Sequence, residues 1–406
     1  MMNRIDALLQ KLCPNGVEYK KLSRIATISR GGNFQKKDFL TEGVPCIHYG
    51  QIYTKYGLFA DKTFTFISEE CAKKQKLAQP NDIVMAVTSE NVEDVCKCLA
   101  WLGNEPVAIS GHTAIIHHTQ NAKYLVYYFH SQMFFEQKIK LTHGTKVVEV
   151  TPDTLANIVL PVPPLEIQRE IVRILDNFTE LTAELTAELT ARKKQYEYYR
   201  NKLLSFNELI KSGGCQLKKL REIAEYSHKR INAIAMKKDN YVGVDNLLPN
   251  KAGKVGSNYV PTKGNLTAYV IGDVLIGNIR PYLKKIWLAY NEGGASGDVL
   301  VIHLIDQSVD VKYLYQVLAD DKFFNYNMQF AKGAKMPRGS KQKIMDYIIP
   351  VPSLEEQRRI VSILDKFDML TTSISEGLPK EIELRRKQYE YYRNQLLSFP
   401  DNKATA

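Results

Sequence analysis

The chain has 406 residues, 44% of them hydrophobic and 24% charged, which is a globular composition and more sequence than one ordinary domain needs. A formal charge of +11 and a pI near 9.1 favour a polyanionic partner. Six scattered cysteines without a CxxC pair argue against a disulfide framework or a zinc site, and no apolar run approaches the ~20 residues of a membrane span, so a soluble, cytoplasmic protein with reduced thiols is expected.

MMNRIDALLQKL opens the chain as a short amphipathic helix without a signal-type apolar core. GVPCIHYG, NDIVMAV and VAISGHTAIIHH then read as short strands between turn residues, and YLVYYFHSQMFFEQKI (124–139) reads as helix. The polar candidates of this region are Lys36, Lys37, Tyr49 and Gln51, then Ser89 and Asn91 in the acidic loop TSENVED, then Thr145 and Lys146 in THGTKVVEV. His112, His117 and His118 lie near Cys96 and Cys98 in sequence, but beside an apolar run they read as core or surface histidines.

A proline-marked start at 161, 163 and 164 precedes a long helix, expected to run from Leu165 to Phe206. Ile171, Leu175, Phe178, Leu185, Leu189, Tyr196, Tyr199 and Leu203 follow gaps of three and four, a coiled-coil seam. Inside it TELTAELTAELTA (179–191) repeats every four residues. Such a unit drifts only ~40° around a helix and adds ~6 Å, so units can be gained or lost without turning the seam away.

The second half repeats the plan. KKLREIA echoes KKLSRIA, GDVLIGN echoes NDIVMAV, and IPVPSLEEQRRIVSILDKF (349–367) repeats LPVPPLEIQREIVRILDNF (160–178). RRKQYEYYRNQLLSF (385–399) repeats RKKQYEYYRNKLLSF (192–206). The second variable region carries Lys229 and Arg230, then GNIRPYLKK with Asn278, Arg280, Tyr282, Lys284 and Lys285, then AKGAKMPRGSKQK with Lys335, Arg338 and Lys341. Asn and Arg suit base edges, and Lys suits phosphates. The second seam runs through Ile360, Leu364, Phe367 and Ile374 to Tyr389, Tyr392 and Leu396, with a break expected at SEGLPKE (375–381), which holds Gly377 and Pro379.

Lys+Arg and Asp+Glu balance at seven each in 158–206 and at eight each in 347–399, so the excess positive charge lies outside the helices. The expected fold is mixed α/β. Two pseudo-repeated α/β domains (1–157, with the short N-terminal helix, and 213–346) are joined by two long antiparallel coiled-coil helical regions (158–212 and 347–406). No GxxxxGK[ST], no [DNS]PP[YFW] and no nuclease core occurs, so no catalytic residue and no metal ligand is assigned.

The doubled PVPPLEIQREIVRILDNF/PVPSLEEQRRIVSILDKF, the doubled YEYYRN and the TAEL tandem resemble the specificity subunits of type I restriction–modification enzymes, in particular the IC group. The resemblance implies two target recognition domains, each reading one half of an asymmetric, bipartite site in double-stranded DNA. It implies two modification (methyltransferase) subunits docked on the helices and restriction (translocase/nuclease) subunits beyond them. S-adenosylmethionine, ATP and Mg would then belong to those partners, and this chain would be non-catalytic and bind no cofactor. Two alternatives use the same residues. A free-standing DNA-binding regulator needs no methyltransferase partner, and a coiled-coil scaffold fits the helices but not the placement of the charge.

Overall fold

A computed structural model describes residues 2–144, 146–211, 214–372 and 377–400. The chain forms two compact units, Met1–Glu184 with Glu383–Ala406, and Leu185–Ile382. Each unit takes part of both helical regions.

In unit 1 a five-stranded sheet has the order Ala26–Arg30, Thr113–His118, Ile83–Ala86, Cys98–Trp101, Phe59–Ala60. A four-stranded sheet has the order Thr65–Ile67, Val44–Ile47, Val107–Ile109, Lys76–Ala78. Ile83–Ala86 and Cys98–Trp101 are buried along their whole length, which explains their unbroken apolar sequence. Unit 2 repeats this with two four-stranded sheets. The first has the order Ala224–Tyr226, Val299–Leu304, Val274–Gly277, Ile286–Leu288, and the second Arg230–Asn232, Asn265–Tyr269, Gly293–Ala295, Tyr241–Val242. The same parallel pairing recurs, Cys46 beside Ala108 and Tyr241 beside Gly294.

Small polar devices are duplicated with the strands. Asp82, almost fully buried, accepts the Gln79 N–H at 2.7 Å and lies 2.7 Å from His117 Nδ1. Asp273 does the same with the Val270 N–H (2.9 Å) and His303 (2.7 Å). His117 is thus a surface residue steadying a strand start. The Gln of each LExQR motif is fully buried: Gln168 Nε2 donates to the Pro163 carbonyl and its Oε1 accepts the Asn121 N–H, and Gln357 repeats this with Pro352 and Asp310. Each amide ties a helix start to the strand end before it.

The first long helix spans Leu165–Leu203, beginning right after Pro164 and ending three residues short of Phe206. The second helical region is two helices, Leu354–Thr372 and Gly377–Leu397. Ile374 and part of SEGLPKE lie outside the described residues; Gly377 opens the second helix at φ +81°, and Pro379 sits in its first turn, where a missing N–H costs little. All six cysteines are free. Among the described residues no helix is long and apolar enough to cross a membrane.

Candidate nucleic-acid interface

In unit 2 the buried strand Val274–Gly277 delivers the loop that begins at Asn278. Arg280 (φ +52°) and Lys284 (φ +53°) flank a single turn at Pro281–Leu283, and left-handed backbone at a non-glycine costs of order 1 kcal/mol or more. Hydrogen bonds hold it: the Arg280 N–H donates to the Pro337 carbonyl at 2.7 Å, and Lys284 and Lys251 both reach Asp321, at 2.8 and 2.9 Å. The guanidinium of Arg280 and the ring of Tyr282 face solvent as a result. Ile279 bridges to Arg338 and the Gly339 N–H donates to the Asn278 carbonyl, so the two basic loops picked from the sequence are neighbours. Lys335, Lys341, Lys229 and Arg230 are exposed, and Arg338 is held by Asp298 at 3.2 Å.

Two residues of this group point inward instead. Asn278 is 6% exposed and packs with Asn327 against Gly339, where a Cβ would come within 2.8 Å of the Asn278 oxygen and 2.3 Å of the Asn327 oxygen. It supports the loop from behind. Lys285 Nζ donates to the Val244 carbonyl at 2.6 Å, which leaves it tied to its own unit.

In unit 1 Ser89 pairs with Val148 and Thr88 with Glu149, which brings the 88–94 and 142–149 loops side by side. Asn91 is exposed but closes its own loop, its Oδ1 accepting the Asp94 N–H at 2.7 Å. Lys146 is exposed; Thr145 lies outside the described residues. Lys36 and Lys37 are exposed on a short turn, and Tyr49 is half-buried. Gln51 is 6% exposed and accepts the His48 N–H at 3.0 Å while donating to Thr65 at 3.1 Å. Its counterpart Asn246 accepts the Gly243 N–H in the same way. Both amides close a turn.

Sequence reasoning missed Lys138. It is 5% exposed, and its ammonium donates to the carbonyls of Glu93 (2.8 Å) and Val95 (2.7 Å), shaping the acidic loop from below. Burial pushes its pKa below the ordinary lysine value. Only its place in an otherwise apolar helix face could have marked it.

The seam residues lie within the units. In unit 1 Ile171 and Leu175 are buried, Phe178 stacks on Tyr392 at 5.4 Å, and Tyr389 and Leu396 pack on the same core. In unit 2 Ile360 and Leu364 are buried, and Phe367 stacks on Tyr196 and Tyr199 at 5.8 and 5.7 Å, with Leu203 alongside. Leu185 and Leu189 are half-buried. The aromatic surface left over is at Tyr198 (61% exposed) and Tyr391 (63%), which occupy matching positions of the repeat. Among the described residues no cluster of His, Cys, Asp or Glu could hold a metal.

Comparison with known proteins agrees with the doubled architecture. The family model described as type I restriction modification DNA specificity domain matches twice, at residues 14–192 and 206–384. A type I restriction enzyme specificity subunit of Escherichia coli (EcoR124I/EcoR124II) is 37% identical over 59% of this chain, which spans 61% of that relative's length. A putative type I restriction enzyme specificity subunit of Haemophilus influenzae is 32% identical over 74% of this chain and 76% of its own. In fold, the chain is similar to the crystal structure of an S subunit from M. genitalium (TM-score 0.54, 16% identity, 95% of this chain and 97% of that one). It is also similar to a chain in a structure of type I R-M complex assembly (TM-score 0.58, 14% identity, 94% and 97%). The chain belongs to the type I restriction modification specificity family and carries the DNA specificity domain in two copies.

Proposed function

We propose that this chain is the DNA-reading specificity subunit of a type I restriction–modification assembly. Each unit reads one half of a bipartite site in double-stranded DNA. Modification subunits dock on the helices, where Tyr198 and Tyr391 offer the same exposed ring twice, and restriction subunits join them. S-adenosylmethionine, ATP and Mg stay with those partners, and this chain supplies binding alone. The observation that carries the reading is the doubling itself: one two-sheet body occurs twice, each time with its polar loops at one end of the sheets. Two domains on one chain convert two modest affinities into one strong one, and phosphate contacts make it fall steeply with salt.

Mapping methylated adenines in cells with and without this gene tests the reading. The bipartite motif should disappear with the gene, and a motif that persists overturns the reading. Deleting Thr186–Leu189, one TAEL unit of ~6 Å, should shorten the unread gap by about one to two base pairs and leave both half-sites intact. An unchanged gap would sink the spacer role.

A further inference from the structure

Where unit 2 presents Arg280 at a strand end, the matching loop of unit 1 is acidic, with Glu90, Glu93 and Asp94 exposed. A phosphate backbone is repelled there, so unit 1 must meet DNA elsewhere at that end of its sheets. A cleft of about 490 Å³ opens between the ends of its two sheets, lined by Arg30, Asn33, Lys36, His48, Tyr49 and His112.

Its floor is backbone against backbone. The Gly31 N–H donates to the Thr113 carbonyl at 3.0 Å and the Gly32 N–H to the Ile109 carbonyl at 2.7 Å. A Cβ on Gly111, which lines the cleft, would stand 2.6 Å from the Gly32 oxygen, so this close backbone approach leaves no room for a side chain. One wall is a run of rings, His48 to Tyr49 at 4.5 Å and Tyr49 to His112 at 4.9 Å. His48 is braced by Phe34 and Phe39, and its Nδ1 accepts the Gly50 N–H at 3.2 Å. Ser110 Oγ accepts the Tyr49 N–H at 2.8 Å. Opposite, Arg30 is aimed by the Gly111 carbonyl (2.9 Å) and Glu149 (3.1 Å), and the Asn33 N–H is fixed on Gln75 at 2.7 Å. The wall is therefore rigid before any ligand arrives, while the Asn33, Lys36 and His112 side chains are exposed at its lip.

The strand register of unit 2 places Gly243 and Val244 where unit 1 has His48 and Tyr49, and Asp298 where unit 1 has His112.

We propose that this cleft is the base-reading surface of unit 1, with Asn33, Tyr49 and His112 meeting base edges of duplex DNA and Lys36 and Arg30 meeting the flanking phosphates. Unit 2 reads instead through its paired Arg280 and Arg338 loops. The two units of one chain thus read DNA with different parts of the same fold. The assignment rests on the DNA-reading role proposed above and narrows it to named groups.

The test maps methylated adenines in cells holding the full chain and its modification subunits. Asn33→Ala and His112→Ala should lower methylation of the native motif about tenfold or more and relax bases in one half-site only. Tyr49→Phe, which keeps the ring and removes the hydroxyl, should act on that same half-site, and Arg280→Ala on the other. An unchanged motif and methylated fraction in all three cleft variants overturns the cleft. So does uniform loss with no base relaxed in a variant whose Trp101 and Trp287 fluorescence stays native. If the wild-type chain directs no motif at all, the DNA-reading role falls and takes this assignment with it.

Discussion

The end of each long helix carries the same YEYYRN sequence, yet the two units receive it with different chemistry. In unit 2 Arg200, 6% exposed, donates to the Gln316 side chain at 2.7 Å and to its carbonyl, and lies 4.0 Å from the buried carboxylate of Asp320. In unit 1 the matching Arg393 lies over the Tyr389 ring at 5.2 Å. Tyr127 stands in the place of Gln316, its hydroxyl donating to Asp176 at 2.7 Å, and Ser131 stands in the place of Asp320. A shared helix and a diverged domain meet at both joins. Arg200 also lies over its own Tyr196 ring, at 5.6 Å, so the arginine–tyrosine contact is common to both joins and the domain side differs, offering a buried amide and carboxylate in unit 2 and a tyrosine and serine in unit 1.

That contrast can be broken by mutation, and the chain provides its own reporters, because its two tryptophans fall one to each unit: Trp101 in unit 1 and Trp287 in unit 2, both buried. Arg200→Ala should cost unit 2 about 3–5 kcal/mol, since it leaves the Gln316 side chain and carbonyl without their donor and the buried Asp320 carboxylate without its neighbouring cation. Urea unfolding followed through Trp287, in a Trp101→Phe background, measures it. Arg393→Ala, read through Trp101 in a Trp287→Phe background, should cost only about 1–2 kcal/mol, the packing and cation–π contribution. Equal losses would erase the distinction between a join with a buried amide and carboxylate and one without them. Phe367→Ala should follow at about 2–3 kcal/mol, because Phe367 stacks on two tyrosines, and Phe178→Ala should cost less, because Phe178 stacks on one. The reverse order would show that ring stacking does not set the strength of these joins.

The joins also show what sequence alone could reveal. The repeat, the helices and the strand cores were legible because apolar periodicity and near-identity survive in the residues themselves. The two basic loops of unit 2 were legible as loops, and they do lie together. Burial of short polar side chains was not legible: Gln51 and Asn278 look like base readers in a list of residue types, but each closes a turn or backs a loop through contacts set by the fold. Gln168 and Gln357 show the opposite failure. They lay inside the most visible repeated motif and were absorbed into a helix, because nothing local distinguishes an amide facing solvent from one pinned to a proline carbonyl. The ring-lined cleft of unit 1 draws on residues 30–36, 48–49 and 110–112, three segments that only strand pairing brings together.

The smallest expected effect is on pH dependence, and it too divides the units. His118 and His130 of unit 1 are pushed down to about 4 by burial, although the Val126 carbonyl favours protonation of His130 at 2.8 Å from its Nδ1. Strand register and helix alignment place Leu304 and Ala319 at the corresponding positions of unit 2. An unfolded histidine binds its proton near pH 6.5, whereas these two stay neutral in the fold until about pH 4. Between those values the unfolded state holds more protons, so the stability of unit 1 is fully present above pH 6.5 and is lost as the pH falls toward 4. Both residues are half-buried, so the loss should be on the order of 2 kcal/mol between pH 7 and pH 5. Urea midpoints read through Trp101 should show it. Installing the unit 2 residues, His118→Leu with His130→Ala, should flatten that acid limb even if stability at pH 7 drops from repacking. A limb that keeps its slope in the double variant would assign the acid sensitivity to the carboxylates of unit 1 rather than to its buried imidazoles.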